Sequence, residues 1–428
     1  MSNLSPFACL FLSPENWPFS REWLPQPTYL VGGAVRDALL RRQSEYLDLD
    51  FVMPDLAVQT ASKIAAAYKV GFVLLDEARQ IARVVFEKAT ADFAQQEGAS
   101  LEEDLRRRDF TVNAIAYNPY TEEFTDPLQG CADIQARTLR MISRANLEDD
   151  PLRLLRAYRL AAQLGFTIEP ATRKAIRELA PLLASVAAER VRTELSFLLA
   201  IPEGNAQLQA AWEDGVLQIW FQSATREGLA LLAEVDRAAA LLRGMWPALA
   251  PELLGSVLKT VKTSRVALAK LVTLLAPEPA LANQQLLQLK YSRAEIRAAL
   301  AVIKYLPQLR KTSPTVREQY FMFRELGDVF PALAVLAVAA GVPLAALAPL
   351  VERYLSPDDP VVHPVPLLSG ETIMSALQLS PGPQVGELLT AIAIARAEGC
   401  ISTPEEALQL AARLHAFEKE KSAATNSY

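Results

Sequence analysis

The sequence has very little cysteine and histidine, with 3 Cys and 2 His among 428 residues. Cys9, Cys131 and Cys400 are far apart and odd in number, so we expect reduced, structural thiols without a disulfide partner, as in an intracellular protein. His363 and His415 are isolated from one another and from the cysteines. Zinc sites need clusters of such ligands, so the composition excludes one.

A net basic charge is also absent. The 43 Lys and Arg stand against 49 Asp and Glu, a formal charge of −6. A surface that binds nucleic acid all over is therefore excluded, and any such contact must come from a local basic patch. Residues 7–12 form an apolar run that is too short, and lacks the basic flank, for a secretory signal. We expect a cytoplasmic protein.

Only one long stretch, residues 329–351, lacks charge, and at 23 residues it is long enough to span a membrane. It is dominated by alanine and contains prolines at positions 331, 343 and 349. This pattern favours two buried helices joined at Gly341-Val342-Pro343 over a membrane span, and we expect no membrane partner.

The first informative motif lies near the N-terminus. Tyr29-Leu-Val is typical of a short buried strand, Gly32-Gly33 of a tight turn, and the residues from 34 to 40 of a helix. Glycines allow close approach of a ligand, and free N–H groups at a helix start favour phosphate. Gly33 and Arg36 are therefore candidate ligands for a nucleoside triphosphate.

The second half of this region, Leu47-Asp-Leu-Asp-Phe, alternates apolar and acidic residues. On a strand this alternation places Asp48 and Asp50 on one face. Paired carboxylates of this kind bind Mg²⁺, which shares its other positions with waters and phosphates, and two such ions support in-line displacement at phosphorus. Alone, either half is more often an ordinary turn or a solvated strand edge.

Together, in this order, the two halves resemble the polymerase-β-type nucleotidyltransferases of the tRNA CCA-adding and bacterial poly(A) polymerase family. The resemblance implies an α+β fold, in which a catalytic head with a small β-sheet is followed by an all-α neck, body and tail. It implies Asp48 and Asp50 as catalytic metal ligands and Mg²⁺ as the cofactor.

A further motif begins at residue 101 and ends in Arg-Arg-Asp-Phe-Thr-Val-Asn-Ala. It is similar to a specific motif of the same family. The functional interpretation assigns Arg108 to phosphate or sugar, and Asp109 with Asn113, one helical turn apart, to ribose hydroxyls. The alternative is a charged helix start. Asp126, Gly130, Asp133 and Arg140 resemble the next family motif, which we interpret as a structural brace.

The last strong motif is an amphipathic helix that starts near Pro151. Asp150, Arg153, Arg156 and Arg159 follow one another at steps of three and lie along one side. Asp150 could be a helix cap and the arginines a solvated stripe. The resemblance instead implies that Asp150 and Arg153 recognise the incoming base, while Arg156 and Arg159 continue to phosphates.

Base chemistry is compatible with this role. Cytosine and adenine both offer an exocyclic amine beside a ring-nitrogen acceptor, which one carboxylate and one guanidinium can pair. Uracil and guanine place a carbonyl where the amine should be, and each unpaired buried group costs roughly 1–3 kcal/mol. Between residues 137 and 192 there are 11 Lys and Arg against 6 Asp and Glu, a local charge of +5 where we expect the RNA backbone.

The resulting domain prediction has five parts. Strands are predicted near residues 71–75, 81–87 and 89–93, and helices alone from about residue 144. Residues 206–366 carry no catalytic constellation, and the region 367–414 resembles the family's tail. We predict an N-terminal arm (1–27), a catalytic head (28–143), a nucleotide-reading and RNA-binding neck (144–205), a helical body (206–366) and a helical tail (367–428).

These patterns predict a template-independent nucleotidyltransferase that extends the tRNA 3′ end from CTP, with use of ATP left open, and releases pyrophosphate. A poly(A) polymerase is the sibling alternative, although the short, charge-balanced C-terminus does not favour it. A catalytically inactive RNA-binding module should have lost Asp48 or Asp50. Relatives that complete CCA carry a longer, basic segment before the motif at residue 101, where this chain has only residues 94–100, without Lys or Arg. We therefore predict an enzyme that adds two cytidines and stops.

Overall fold

The computed structural model describes residues 12–42, 46–202, 204–258, 261–311 and 313–425. The chain forms two compact units, Met1–Ile219 and Trp220–Tyr428. Cys9 and the first eleven residues of the predicted arm lie outside the described residues, whereas Cys131 and Cys400 are free thiols. The finer division into five domains stays a prediction.

The first unit is built on a seven-stranded mixed sheet with the strand order β3-β4-β5-β2-β1-β6-β7. The strands are β1 (Tyr29–Val31), β2 (Leu47–Met53), β3 (Gly71–Asp76), β4 (Ile81–Val85), β5 (Ala89–Gln95), β6 (Ala116–Tyr117) and β7 (Phe124–Thr125). The pairing of β2 with β5 is parallel, and the other neighbours are antiparallel. The strands predicted near residues 71, 81 and 89 are confirmed.

One face of this sheet is buried by aromatic residues because β2 and β5 alternate apolar and polar side chains. Phe51 and Phe93 are neighbours in the parallel register, and their rings stack at 5.3 Å between centroids. Trp17 and Phe19, from the N-terminal segment, pack against Phe51 at 5.0 and 5.7 Å. The apolar face is thereby closed, which leaves the acidic residues of β2 on the other face.

Helices flank the sheet and then continue as a helical layer. They are α1 (Gly33–Leu39), α2 (Ala57–Tyr68), α3 (Leu101–Arg106), α4 (Gly130–Gln135), α5 (Arg144–Asp149), α6 (Leu152–Leu164), α7 (Pro170–Leu179), α8 (Ala188–Ala200) and α9 (Asn205–Glu213). A 3₁₀ turn, Thr111–Asn113, lies between α3 and β6. Helix α6 buries its leucines and Tyr158, and α8 packs against it.

The second unit is mainly helical. Its helices are α10 (Arg226–Met245), α11 (Ala250–Leu254), α12 (Arg265–Leu274), α13 (Pro279–Gln288), α14 (Arg293–Lys311), α15 (Val316–Leu326), α16 (Phe330–Ala339), α17 (Leu344–Leu355), α18 (Gly370–Leu377), α19 (Pro383–Ala397) and α20 (Pro404–Thr425). The uncharged stretch 329–351 forms α16 and the first part of α17, which confirms two helices joined near Gly341. Within the described ranges no single helix is long and apolar enough to cross a membrane. Helices α12 and α13 together have the length and composition of a membrane span, but the chain bends by 110° between them.

The expectation of helices alone after residue 144 is wrong in two places. A two-residue strand β9 (Thr167–Ile168) pairs in parallel with β8 (Thr138–Leu139), and β10 (Ser256–Leu258) forms a hairpin with β11 (Val261–Ser264). Strands this short leave no detectable periodicity. Their pairing depends on a partner strand rather than on local sequence.

Candidate active site

The glycine turn after β1 lies directly against the acidic face of β2. Gly32 has φ +73° and ψ −136°, a conformation that favours glycine. A Cβ at this position would lie 3.0 Å from Asp50 Oδ2 and 3.5 Å from Arg108 Nη1. At Gly33 the only nearby atom among the described residues is Arg36 Nη2, at 3.6 Å. Gly32 is therefore the glycine that the site requires, whereas the role assigned to Gly33 stays a prediction.

The two predicted carboxylates project from β2 next to a third one. Asp48 is exposed, and its Oδ1 accepts a hydrogen bond of 2.7 Å from Thr90 on β5. Asp50 is half-buried, and the parallel register places Asp92 of β5 directly beside it. Arg83 of β4 donates two hydrogen bonds, of 2.6 and 2.7 Å, to Asp92. Asp92 is not among the residues predicted from the sequence, although it alternates with apolar residues along β5.

The electrostatics of this face favour a cation. Burial, and then the adjacent Asp48, raise the pKa of Asp50 to about 7, while Arg108 acts in the opposite direction. A divalent ion held by Asp48 and Asp50 would offset the repulsion, and carboxylate oxygens are suitable ligands. Within the described ranges no group of three or more His, Cys, Asp or Glu could hold a metal by itself. Waters and substrate phosphates would have to complete the coordination.

Arg108 has a donor that the described part of the chain leaves without a partner. Its Nε is buried and has no hydrogen-bond partner in the described part of the chain. Its Nη2 lies 3.4 Å from Asp104 Oδ2, a long contact. An unsatisfied buried donor is costly, so a bound anion would stabilise this side chain.

Arg36, Asn113 and Asp109 form the beginning of a buried polar network. Arg36 is 5% exposed and donates from Nη1 to Asn113 Oδ1 at 2.7 Å and from Nε to Asp37 at 2.9 Å. Asn113 in turn donates to Asp109 Oδ1 at 3.0 Å. These contacts fix the start of α1 against the 3₁₀ turn. The phosphate contact of Arg36 and the ribose contacts of Asp109 and Asn113 stay predictions.

The same network continues into helices α6 and α8. Arg156 donates from Nε to Asp109 Oδ2 at 3.0 Å and from Nη1 to Glu194 at 3.3 Å. Arg159 donates from Nε to the other oxygen of Glu194 at 2.5 Å. Burial opposes ionisation of Asp109, but Arg156 and the hydrogen bonds lower its pKa below the ordinary value. Both guanidinium groups are thus engaged in ion pairs, and their predicted contact with phosphates stays a prediction.

The residues interpreted as a brace have that role in the structure. Asp126 accepts hydrogen bonds from the backbone N–H groups of Gly130 and Cys131, at 2.7 and 2.9 Å. A Cβ at Gly130 would lie 2.3 Å from the carbonyl oxygen of Thr111. Thr111 also donates to Asp133 at 2.6 Å. Helix α4 therefore packs tightly against the turn that carries Asn113.

The predicted base-reading pair lies in a cleft of about 660 Å³. The lining residues carry both signs of charge and are Arg79, Glu97, Asp104, Arg107, Arg108, Asp149, Asp150, Arg153 and Arg190. Asp150 accepts a hydrogen bond of 2.9 Å from Arg190 Nη2. Arg153 donates from Nη1 to the carbonyl oxygens of Arg107 and Asn146, both at 2.9 Å. The cleft brings Asp150, Arg153 and Arg108 together, whereas their roles in binding the base and the phosphates stay predictions.

Comparison with known proteins gives a consistent result along the chain. Residues 28–140 match the poly A polymerase head domain, residues 165–227 the probable RNA and SrmB-binding site of polymerase A, and residues 259–412 domain 2 of tRNA nucleotidyltransferases. A CC-adding tRNA nucleotidyltransferase from Synechocystis sp. is 47% identical over 96% of this chain and 99% of its own length. An A-adding enzyme from Deinococcus radiodurans is 34% identical over 90% of this chain and 94% of its own length.

The fold agrees with this similarity. A Thermotoga maritima CCA-adding enzyme complexed with tRNA superimposes with a TM-score of 0.65, covers 91% of each chain and shares 21% identity. At that identity the match supports the fold alone. The identity to curated relatives over nearly the whole chain, together with two carboxylates in place on β2, gives the family: the chain belongs to the tRNA nucleotidyltransferases that carry a poly(A)-polymerase-type head.

Proposed function

We propose that this enzyme adds two cytidines to the 3′ end of tRNA from CTP and stops before the terminal adenosine. The observation that carries the proposal is the short, anchored connection between β5 and α3. The 47% identical relative named as CC-adding supports the same activity. The 34% identical relative is named as A-adding, so relatives differ in which nucleotides they add.

The connection is even shorter than the sequence suggested, because β5 continues to Gln95 and only residues 96–100 remain. The backbone N–H groups of three of these five residues donate hydrogen bonds to the rest of the head. Gln96 N–H donates to the carbonyl oxygen of Met53 at 2.7 Å, Glu97 N–H to Asp104 at 3.1 Å and Ala99 N–H to Glu103 at 2.7 Å. A segment held by these bonds has little freedom to reshape the pocket.

Glu97 connects this segment to the base-reading cleft. Its side chain lines the cleft and forms an ion pair with Arg107, whose carbonyl oxygen accepts a hydrogen bond from Arg153. Asp150 and Arg153 could pair with cytosine or adenine, so size must decide between them. A cleft fixed on this side would accept the pyrimidine and exclude the larger purine.

The proposed reaction assigns a role to each of these side chains. The tRNA 3′ hydroxyl attacks the α-phosphorus of CTP, and pyrophosphate leaves. Arg108, whose Nη1 lies beside the Gly32 turn, would bind the triphosphate through its guanidinium group. We propose that Asp48 and Asp50 hold Mg²⁺, which when bound would activate the hydroxyl and neutralise phosphate charge. We propose that this reaction takes place in the cytoplasm, where tRNA is used.

The test uses tRNAs that end before CCA, after C and after CC, with each labelled nucleoside triphosphate supplied singly. We expect CMP incorporation on the first two tRNAs and none of any nucleotide on the third. Inactive samples are excluded by the first two reactions. Efficient AMP incorporation onto tRNA ending in CC, at ordinary ATP concentrations, would refute the proposal.

A further inference from the structure

Helix α8 presents an exposed stripe that begins at the base-reading cleft. Arg190, Thr193 and Phe197 are exposed and follow one another at helical spacing. Arg190 lines the cleft and donates to Asp150. From Arg190 to Phe197 the helix rises about 10 Å, on the order of three stacked nucleotides at 3.4 Å each. A single-stranded nucleic acid that leaves the cleft along α8 would therefore pass over Phe197.

Phe197 is unusual for an aromatic side chain because 55% of it is exposed. The guanidinium carbon of Arg159 lies 5.8 Å from the ring centroid. Arg159 is itself held by Glu194, at 2.5 Å, and by Gln163, at 3.1 Å. The ring and the cation therefore form a fixed pair rather than two independent side chains. More than half of the ring is exposed, so it contributes little to the packing of α8.

An exposed aromatic ring beside an arginine is the arrangement on which unpaired RNA bases stack. The ring supplies a face that accepts any base, and the cation lies close to the phosphates of the strand. A protein partner would need a larger apolar patch, but the exposed neighbours on this stripe are polar, Thr193 and Arg190. The chemistry therefore favours single-stranded nucleic acid.

We propose that Phe197, together with Arg159, is a stacking platform for a base of the single-stranded tRNA 3′ end, upstream of the nucleotide being added. The proposal rests on the proposed function only in taking the tRNA 3′ end as the substrate. The match of residues 165–227 to a probable RNA-binding region covers Phe197 but assigns it no role. The platform would keep the growing end aligned with the β2 carboxylates.

The experiment uses an acceptor-stem minihelix that lacks CCA and ends in three unpaired 3′ nucleotides, with 2-aminopurine as the first of them, three positions before the nucleotide to be added. Stacking on Phe197 should quench the fluorescence when the enzyme binds. Phe197→Ala should lose this quenching and raise KM for the minihelix roughly 5- to 150-fold, since base stacking contributes about 1–3 kcal/mol at 1.4 kcal/mol per factor of ten. KM for CTP should change less than twofold, because the base-reading cleft is intact. Phe197→Tyr should restore both readouts.

Phe72→Ala is the matched control, because Phe72 is 41% exposed and lies on β3. It should change neither quenching nor KM. Should Phe197→Ala fail to fold by circular dichroism, Phe197→Leu, which keeps an apolar side chain without a π face, replaces it with the same expectations. Unchanged quenching and KM in the folded variant, or failure of Phe197→Tyr to restore them, would overturn the platform. Only the first CMP addition is scored, so an enzyme that later proved to add AMP would leave this result unaffected.

Discussion

Replacing Gly32 by alanine tests how closely the turn after β1 must approach the carboxylates of β2, which we propose to be catalytic. At φ +73° and ψ −136° an alanine is strained by about 1–3 kcal/mol. Its Cβ would lie 3.0 Å from Asp50 Oδ2, so the carboxylate must shift by a few tenths of an ångström. A displacement of 1 Å at a reacting centre can cost about 10²-fold in rate. We expect Gly32→Ala to reduce the single-turnover rate of CMP addition about tenfold or more.

Gly165→Ala separates backbone strain from the contact with Asp50. Gly165 ends helix α6 at φ +68°, and no described atom lies within 4 Å of a Cβ placed there. Both variants should lower the melting temperature, but only Gly32→Ala should lower the rate. The reasoning is refuted if Gly32→Ala retains more than half of the parent rate at saturating CTP and tRNA, or if Gly165→Ala loses as much rate.

Three further predictions concern the rest of the site. Asp48→Ala and Asp50→Ala should each abolish CMP transfer, while tRNA affinity in a filter-binding assay stays within about threefold of the parent. Residual turnover within tenfold of the parent would contradict their assignment as metal ligands. A chelator should reproduce the loss of transfer reversibly. Arg153→Ala should relax nucleotide choice in single-nucleotide incorporation assays, and unaltered discrimination against UTP and GTP would contradict a base-reading role. Glu194→Ala should lower the free energy of unfolding by about 3 kcal/mol, because two partly buried arginines lose their anion, whereas exposed Glu189→Ala should stay within about 0.5 kcal/mol in the same urea titration.

Local alternation was enough to predict the acidic face of β2, because the two-residue period of a strand fixes which side chains share a face. It could not find Asp92, which reaches Asp50 only through the parallel pairing of β2 with β5. The motif also could not tell which glycine is constrained. Gly32 has the positive φ and the close approach, and both depend on where β2 and Arg108 lie.

The arginine stripe shows the same limit for charged residues. Asp150 lies just before helix α6 and Arg153 in its first turn, and both line the cleft. Spacing could not show that Asp150 pairs with Arg190, which reaches it from α8. Glu194 is buried between α8 and α6, and packing of one helix on the other decides its partners.

The buried network between α1 and α8 constrains how this family can vary. Three cations, Arg36, Arg156 and Arg159, are balanced by three anions, Asp37, Asp109 and Glu194. Loss of a single member leaves a partly buried charge without its partner, whereas exchange of a cation together with its anion does not. Substitutions of these residues should accordingly occur in pairs, a cation together with its anion. A relative in which only one of the six has changed should carry a compensating residue nearby, or its head should have ceased to add nucleotides.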